Sequence, residues 1–147
     1  MPLTRYLGLD VGTKRIGISI SDPLFIIAQP LKTIFRHSEQ QSIEEIENLC
    51  KEYNVSVIII GLPKNMNGTL GPQAQDVQFY AELIKEKIKV DIVFEDERLT
   101  SKDAERILIE QNKKPSRNKE LVDVVSAVLI LQQYLDKRRQ KKCKTLV

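Results

Sequence analysis

Tryptophan is missing altogether, histidine occurs once, at His37, and cysteine twice, at Cys50 and Cys143. A single imidazole excludes any mechanism built on a histidine pair, and a Ser-His-Asp arrangement would have to use that one ring beside a polar linker. The two cysteines lie far apart and make no paired-thiolate pattern, so neither a disulfide scaffold nor a zinc site is indicated and both read as free thiols. Long hydrophobic runs are missing as well. None approaches the roughly 20 apolar residues that span a bilayer, and the opening Met-Pro-Leu-Thr-Arg lacks the apolar core of a signal peptide. The expectation is a cytoplasmic protein with no membrane partner. What remains available is carboxylate, amine, guanidinium and hydroxyl chemistry.

Net charge is small, +3 over 147 residues, but it is unevenly placed. Lys137, Arg138, Arg139, Lys141, Lys142 and Lys144 put six cations and no acid into residues 137–147, which leaves residues 1–136 at −3. A length of 147 residues suits one domain with one sizeable core, assigned to residues 1–136. Residues 137–147 are then a basic C-terminal tail. A solvated, disordered tail is the ordinary reading of such a run, and contact with a phosphate backbone is the functional alternative.

Within the domain, Tyr6 to Ile20 is the organising stretch. An apolar run delivers Asp10 to a Gly12-Thr13-Lys14 turn and an alternating apolar segment leads away, which predicts a hairpin with Asp10 near the end of its first strand. Asp and Gly are also common turn formers, so the turn alone does not make Asp10 functional. Ser21-Asp22-Pro23 signals a turn, and Pro30 makes the next strand, near Leu31 to Phe35, an edge strand or puts the proline at its start.

Ser38 and Gln41 resemble a capping box ahead of a helix with Ile43, Ile46, Leu49 or Cys50, and Tyr53 at helical spacing. Val55 to Ile60 is nearly continuous β-branched residue, the mark of a central parallel strand buried on both faces, and it empties into the polar loop Pro63 to Thr69. A second helix opens at Pro72 with the stripe Ala74, Val77, Ala81, Ile84 and Ile88, and a further strand covers Val90 to Phe94. A third helix begins after Thr100 or Ser101 with Ala104, Ile107 and Leu108 inward. After the basic loop Lys113 to Lys119 a last, buried helix runs from Asn118 or Lys119 to about Lys137.

Three meander strands followed by alternating helices and strands make an α/β domain with a mixed five-stranded sheet. Open α/β sheets bind ligands outside the carboxyl ends of their strands. Asp10, the Pro63 to Thr69 loop and the run Glu95-Asp96-Glu97 all fall at that edge. Asp123 lies among apolar neighbours on the last helix, where an ionised carboxylate needs a partner or a metal, although a place in the first turns of a helix also favours an acid. Acids converging without histidine or thiolate suit hard ions such as Mg²⁺ or Mn²⁺, and the chemistry such sites perform is phosphodiester hydrolysis. Lys14, Arg15 and Arg98 are placed to hold phosphate.

Four stretches in this order, Gly8 to Gly17, Gly61 to Thr69, Asp96 to Ser101, and Val122-Asp123 with Ser126-Ala127 and Ile130-Leu131, together resemble the YqgF family. These are bacterial proteins related to Holliday-junction resolvases and described as pre-16S ribosomal RNA nucleases. The resemblance implies a ribonuclease H-like fold with strand order 3-2-1-4-5, strand 2 antiparallel and helices flanking the sheet. It also implies a metal-dependent nuclease that matures the 5′ end of 16S ribosomal RNA. Its acidic positions fall on Asp10, Glu97 and Asp123 as catalytic and metal-binding residues, with Asp96 the neighbour that competes with Glu97 for the metal-facing place. Lys14, Arg15, Asn65, Asn67 and Arg98 become substrate contacts, and Thr13, Asp96 and Thr100 supporting residues.

The implied partner is nucleic acid, a ribosomal RNA precursor or branched DNA, bound by a monomer or homodimer. A DNA-junction resolvase would share the same chemistry. A non-catalytic RNA-binding or ribosome-assembly module would keep the fold with structural carboxylates. Asp10 to Lys14 also resembles the phosphate loop of sugar kinases and actin-like ATPases, but those close two related domains over a nucleotide and this length supplies one.

Overall fold

A computed structural model describes residues 3–65, 67–96 and 119–145. Strands β1 (Arg5–Val11), β2 (Arg15–Ser21) and β3 (Ala28–Phe35) form the predicted meander, followed by α1 (Glu39–Glu52), β4 (Val55–Leu62), α2 (Pro72–Lys87), β5 (Asp91–Asp96) and α3 (Lys119–Thr145). The five strands make one sheet in the order β3-β2-β1-β4-β5. β2 is antiparallel to both β1 and β3, and β4 is parallel to both β1 and β5. The helix expected after Thr100, and with it Glu97, Arg98 and Thr100, lies outside the described residues.

Local chemistry accounts for the element ends. Ser38 caps α1 by accepting the Gln41 N–H at 3.3 Å, and Pro72 opens α2, where its missing N–H is not needed. Pro30 is tolerated because β3 is an edge strand, and the β2–β3 register shifts beside it, between Ile18 and Ser19. β3 therefore begins at Ala28, three residues before the predicted start at Leu31. The Asp22 carboxylate holds the turn before it, accepting the N–H groups of Leu24, Ile26 and Ile27.

Side-chain alternation divides the sheet into two faces. Leu7, Leu9 and Val11 of β1, with Ile58, Ile60 and Leu62 of β4, pack against α1 and α2. Tyr80 of α2, absent from the predicted stripe, is fully buried there; its hydroxyl lies 2.6 Å from that of Ser42, and burial pushes its pKa up to about 12. The opposite face carries α3 alone, over Ile59, Ala28 and the α3 residues Ile130, Leu131 and Leu135.

The last helix differs from its prediction in length. It continues through Thr145, well past Lys137, so residues 137–145 of the segment read as a disordered tail are helical. The reason is in the first of those cations. Lys137 Nζ lies 2.6 Å from the buried Glu95 carboxylate, where Gln133 also donates, so this part of the basic segment is anchored to β5.

Candidate functional site

The β1–β2 hairpin is held from below by a buried arginine. Gly12 N–H donates to the Arg15 carbonyl at 2.9 Å, closing the three-residue link, and the Arg36 backbone N–H donates to the Lys14 carbonyl at 2.8 Å. The Arg36 side chain, only 6% exposed, donates from Nη1 to the Gly12 carbonyl at 2.9 Å and pairs with both Asp76 and Glu39. It also lies 4.7 Å from the Tyr80 ring centre. Hydrogen bonds from Arg36 hold the Asp76 carboxyl below its ordinary pKa. One side chain thus ties the hairpin turn to the first turns of α1 and α2 and fixes the end of β1 that carries Asp10. Sequence reading missed it, because nothing local announces a contact from position 36 to position 76.

Asp10 stands on the α3 face of β1, with Gly8 and Tyr6, and its cross-strand partner on β2 is Gly17. Gly17 is where α3 comes closest: a Cβ there would run into the backbone carbonyl of Asp123. At the next same-face pair, Gly8 with Ser19, a Cβ on Gly8 would lie 2.8 Å from Leu131 Cβ, and the Ser19 hydroxyl donates to the Ala127 carbonyl at 2.7 Å. Two glycines and a small serine let the helix lie almost on the backbone of the sheet. They bring Asp123 over the strand position directly opposite Asp10. A glycine inside a β-branched strand was the available signal for such an approach.

Asp123 is paired with Arg15, whose Nε lies 2.8 Å from Oδ2. Burial pushes its pKa up, and the bond from Arg15 opposes that rise without cancelling it. Arg15, expected to contact substrate, therefore has its Nε committed to a carboxylate. Lys14 is exposed at the hairpin tip beside exposed Thr13.

β5 resolves part of the acidic run. Glu95 is buried on the α3 face and satisfied by Gln133 and Lys137, while alternation puts Asp96 on the face of Ile92 and Phe94, opposite to Asp10. Asp96 is thus not on Asp10's side of the sheet. In the β4–α2 loop, Gly68 has φ +86° and Asn65 and Asn67 are exposed. Asn65 Nδ2 donates to Thr69 Oγ1 at 3.0 Å, and Asn67 Oδ1 accepts from both the backbone N–H and the hydroxyl of Thr69. These two predicted substrate contacts shape their own loop.

Asp10 and Asp123 offer oxygen donors alone, a set that fits a hard divalent cation. Among the described residues no three His, Cys, Asp or Glu side chains form a metal-holding group. Glu97, the third carboxylate of the expected set, lies outside them.

A mixed sheet in this order, with β2 antiparallel and one long helix against the face bearing Asp10, defines a ribonuclease H-like protein of the resolvase class. The chain is similar to the Fowlpox virus resolvase in complex with Holliday junction DNA, with a TM-score of 0.57 at 10% identity over 91% of this chain and 98% of that one. It is also similar to Thermus thermophilus RuvC in complex with a Holliday junction substrate, with a TM-score of 0.53 at 12% identity over 92% and 96% of the two chains. At such identities the likeness concerns the fold. Residues 4–137 match the model of the RuvX family, described as Holliday junction resolvase, and the chain belongs to that family, the one also known as YqgF. A relative from Thermoanaerobacter pseudethanolicus, named "Putative pre-16S rRNA nuclease", is 50% identical over 138 residues, covering 93% of this chain and 99% of its own. One of the same name from Clostridium botulinum strain Hall is 51% identical over 132 residues, covering 90% and 96%.

Proposed function

We propose that the chain is a divalent-metal-dependent nuclease that cleaves phosphodiester bonds of the 16S ribosomal RNA precursor during 5′-end maturation. The observation that carries this reading is the seating of Asp123 over Gly17, the strand partner of Asp10, which joins two family acidic positions from opposite ends of the chain. Relatives near 50% identity over nearly their whole length, named for that RNA, favour it over DNA junctions.

Asp10, Asp123 and Glu97 would hold Mg²⁺ or Mn²⁺. When bound, such an ion lowers the pKa of water and offsets charge building on the phosphoryl oxygens. Asp10 has little freedom to move, because Arg36 fixes the turn beyond it. Arg15 neutralises Asp123 in its half-buried place, the same compensation that a cation at this carboxylate would provide. Lys14, exposed at the hairpin tip, is placed to attract the phosphate backbone toward these acids.

The test is Asp10→Asn, assayed on precursor RNA and, side by side, on a four-way DNA junction. Loss of an outer-shell partner of a metal ligand commonly costs 10–100-fold, so loss of a ligand should lower RNA cleavage by at least about a hundredfold with the fold intact. Undiminished cleavage would remove Asp10 from the site. Junction cleavage without RNA cleavage would transfer the activity to DNA.

A further inference from the structure

Beyond the acidic centre, the sheet's edge strand ends in an aromatic pair that no part of the fold consumes. Phe35 is 47% exposed, and its ring is stacked on that of exposed His37, with centroids 5.7 Å apart and planes 9° apart. Phe35 is the strand partner of Arg15, so its side chain shares the α3 face with the Arg15–Asp123 pair. Two residues back on that face, the Thr33 hydroxyl donates to the Glu120 carbonyl at 3.0 Å and pins β3 beneath the start of α3. The platform is fixed from the other side too, because the intervening residue is the buried Arg36.

We propose that Phe35 and His37 form a stacking platform for an unpaired base of the nucleic acid strand being cleaved, an inference that rests on the nuclease reading above. Two nearly parallel rings make a flat, wide π surface, and base–aromatic stacking needs no particular base identity. Cations flank it: Lys14 and Arg15 lie on the neighbouring hairpin, and the Arg36 N–H joins the platform strand to the Lys14 carbonyl. Asp10 and Phe35 are separated by two strand spacings and one two-residue step, roughly 12 Å. A base seated on Phe35 therefore belongs to a nucleotide within a few of the scissile bond. The bases of an intact duplex are stacked on one another and present no free face, so the platform selects single-stranded segments beside the cut.

The chain has no tryptophan, so Phe35→Trp creates a single fluorescent reporter that keeps the stacking surface. Binding is measured with a 12-nucleotide single-stranded RNA and its blunt duplex, with Ca²⁺ replacing Mg²⁺ to hold back cleavage. Phe35→Ala should weaken single-strand binding about tenfold or more, in the range of one lost base stack, and leave duplex binding unchanged. Phe35→Trp should bind as the native chain does, with its fluorescence quenched by the RNA. Single-strand affinity within twofold of native in Phe35→Ala would overturn the platform while leaving the nuclease reading intact, and so would an equal loss for both RNAs. Failure of the native chain to bind either RNA would overturn both.

Discussion

Two aspartates, each paired with an arginine, are shifted in opposite directions. Asp76 takes two bonds from the Arg36 fork and its pKa is lowered, whereas Asp123 takes one from Arg15 Nε and burial still raises its pKa. The linkage signs therefore differ. Asp76 contributes stability above its unfolded value near 3.8, and this is lost as pH falls through its lower folded value. For Asp123 the native state binds more protons than the unfolded one between 3.8 and its raised folded value, so stability declines as pH rises through that window and stays reduced above it. Asp123→Asn removes this titration and keeps an acceptor for Arg15. Its thermal midpoint at pH 7 should equal or exceed that of the native chain, with the difference shrinking toward pH 4, while RNA cleavage is lost. A lower midpoint at every pH would mean that the ion pair, and not burial, decides the energetics of Asp123. Of the candidate residues, Asp10 and Asp123 were legible from an apolar run ending in an acid and from a carboxylate among valines. Arg36 was not, because its partners are separated from it by long stretches of chain.

Among the elements, α3 depends on what the strands lack. Its contact with β1 and β2 runs over Gly8, Gly17 and Ser19, and any larger side chain would lift the helix from the sheet. Gly17→Ala should destabilise the chain by about 1–3 kcal/mol, the usual range for overpacking, as read from the denaturant midpoint. It should also lower cleavage, because the carbonyl it meets belongs to Asp123 itself. Full activity in a destabilised Gly17→Ala would separate the seating of α3 from catalysis. Strand identities and the edge position of β3 were legible, since β-branched runs and a proline act locally. Which face each acid of Glu95-Asp96 takes, and how far α3 extends, were not. Both depend on strand phase and on the Lys137–Glu95 pair, which appear only once the sheet is assembled.

For the molecule as a whole, α3 is a ruler between two charged regions. Asp123 sits over Gly17, and the helix then runs toward the Tyr6 and Phe25 rings, over which Arg138 lies at 5.7 and 4.9 Å. At 1.5 Å per residue, Lys141 is about 27 Å along the helix from Asp123. Lys137 is paired with Glu95 and Arg139 with Asp136, so the inner part of the basic segment serves the fold. Beyond Gln140 the chain adds Lys141, Lys142 and Lys144. Any phosphates these neutralise belong to a duplex portion about eight base pairs from the cut, at about 3.4 Å per step. Ending the chain at Gln140 keeps Lys137 and Arg138 and should leave the thermal midpoint unchanged. On an RNA with a stem longer than about eight pairs beside the cleavage site, the slope of log K against log salt should flatten by about 2 to 3 for three lost contacts. On a substrate of five nucleotides the slope should not change, because such a strand is too short to reach from Asp123 to Lys141. An unchanged slope on the long RNA would show that these lysines do not contact the backbone, and a flattened slope on the short one would mean that they act as a diffuse field and not at the far end of the ruler.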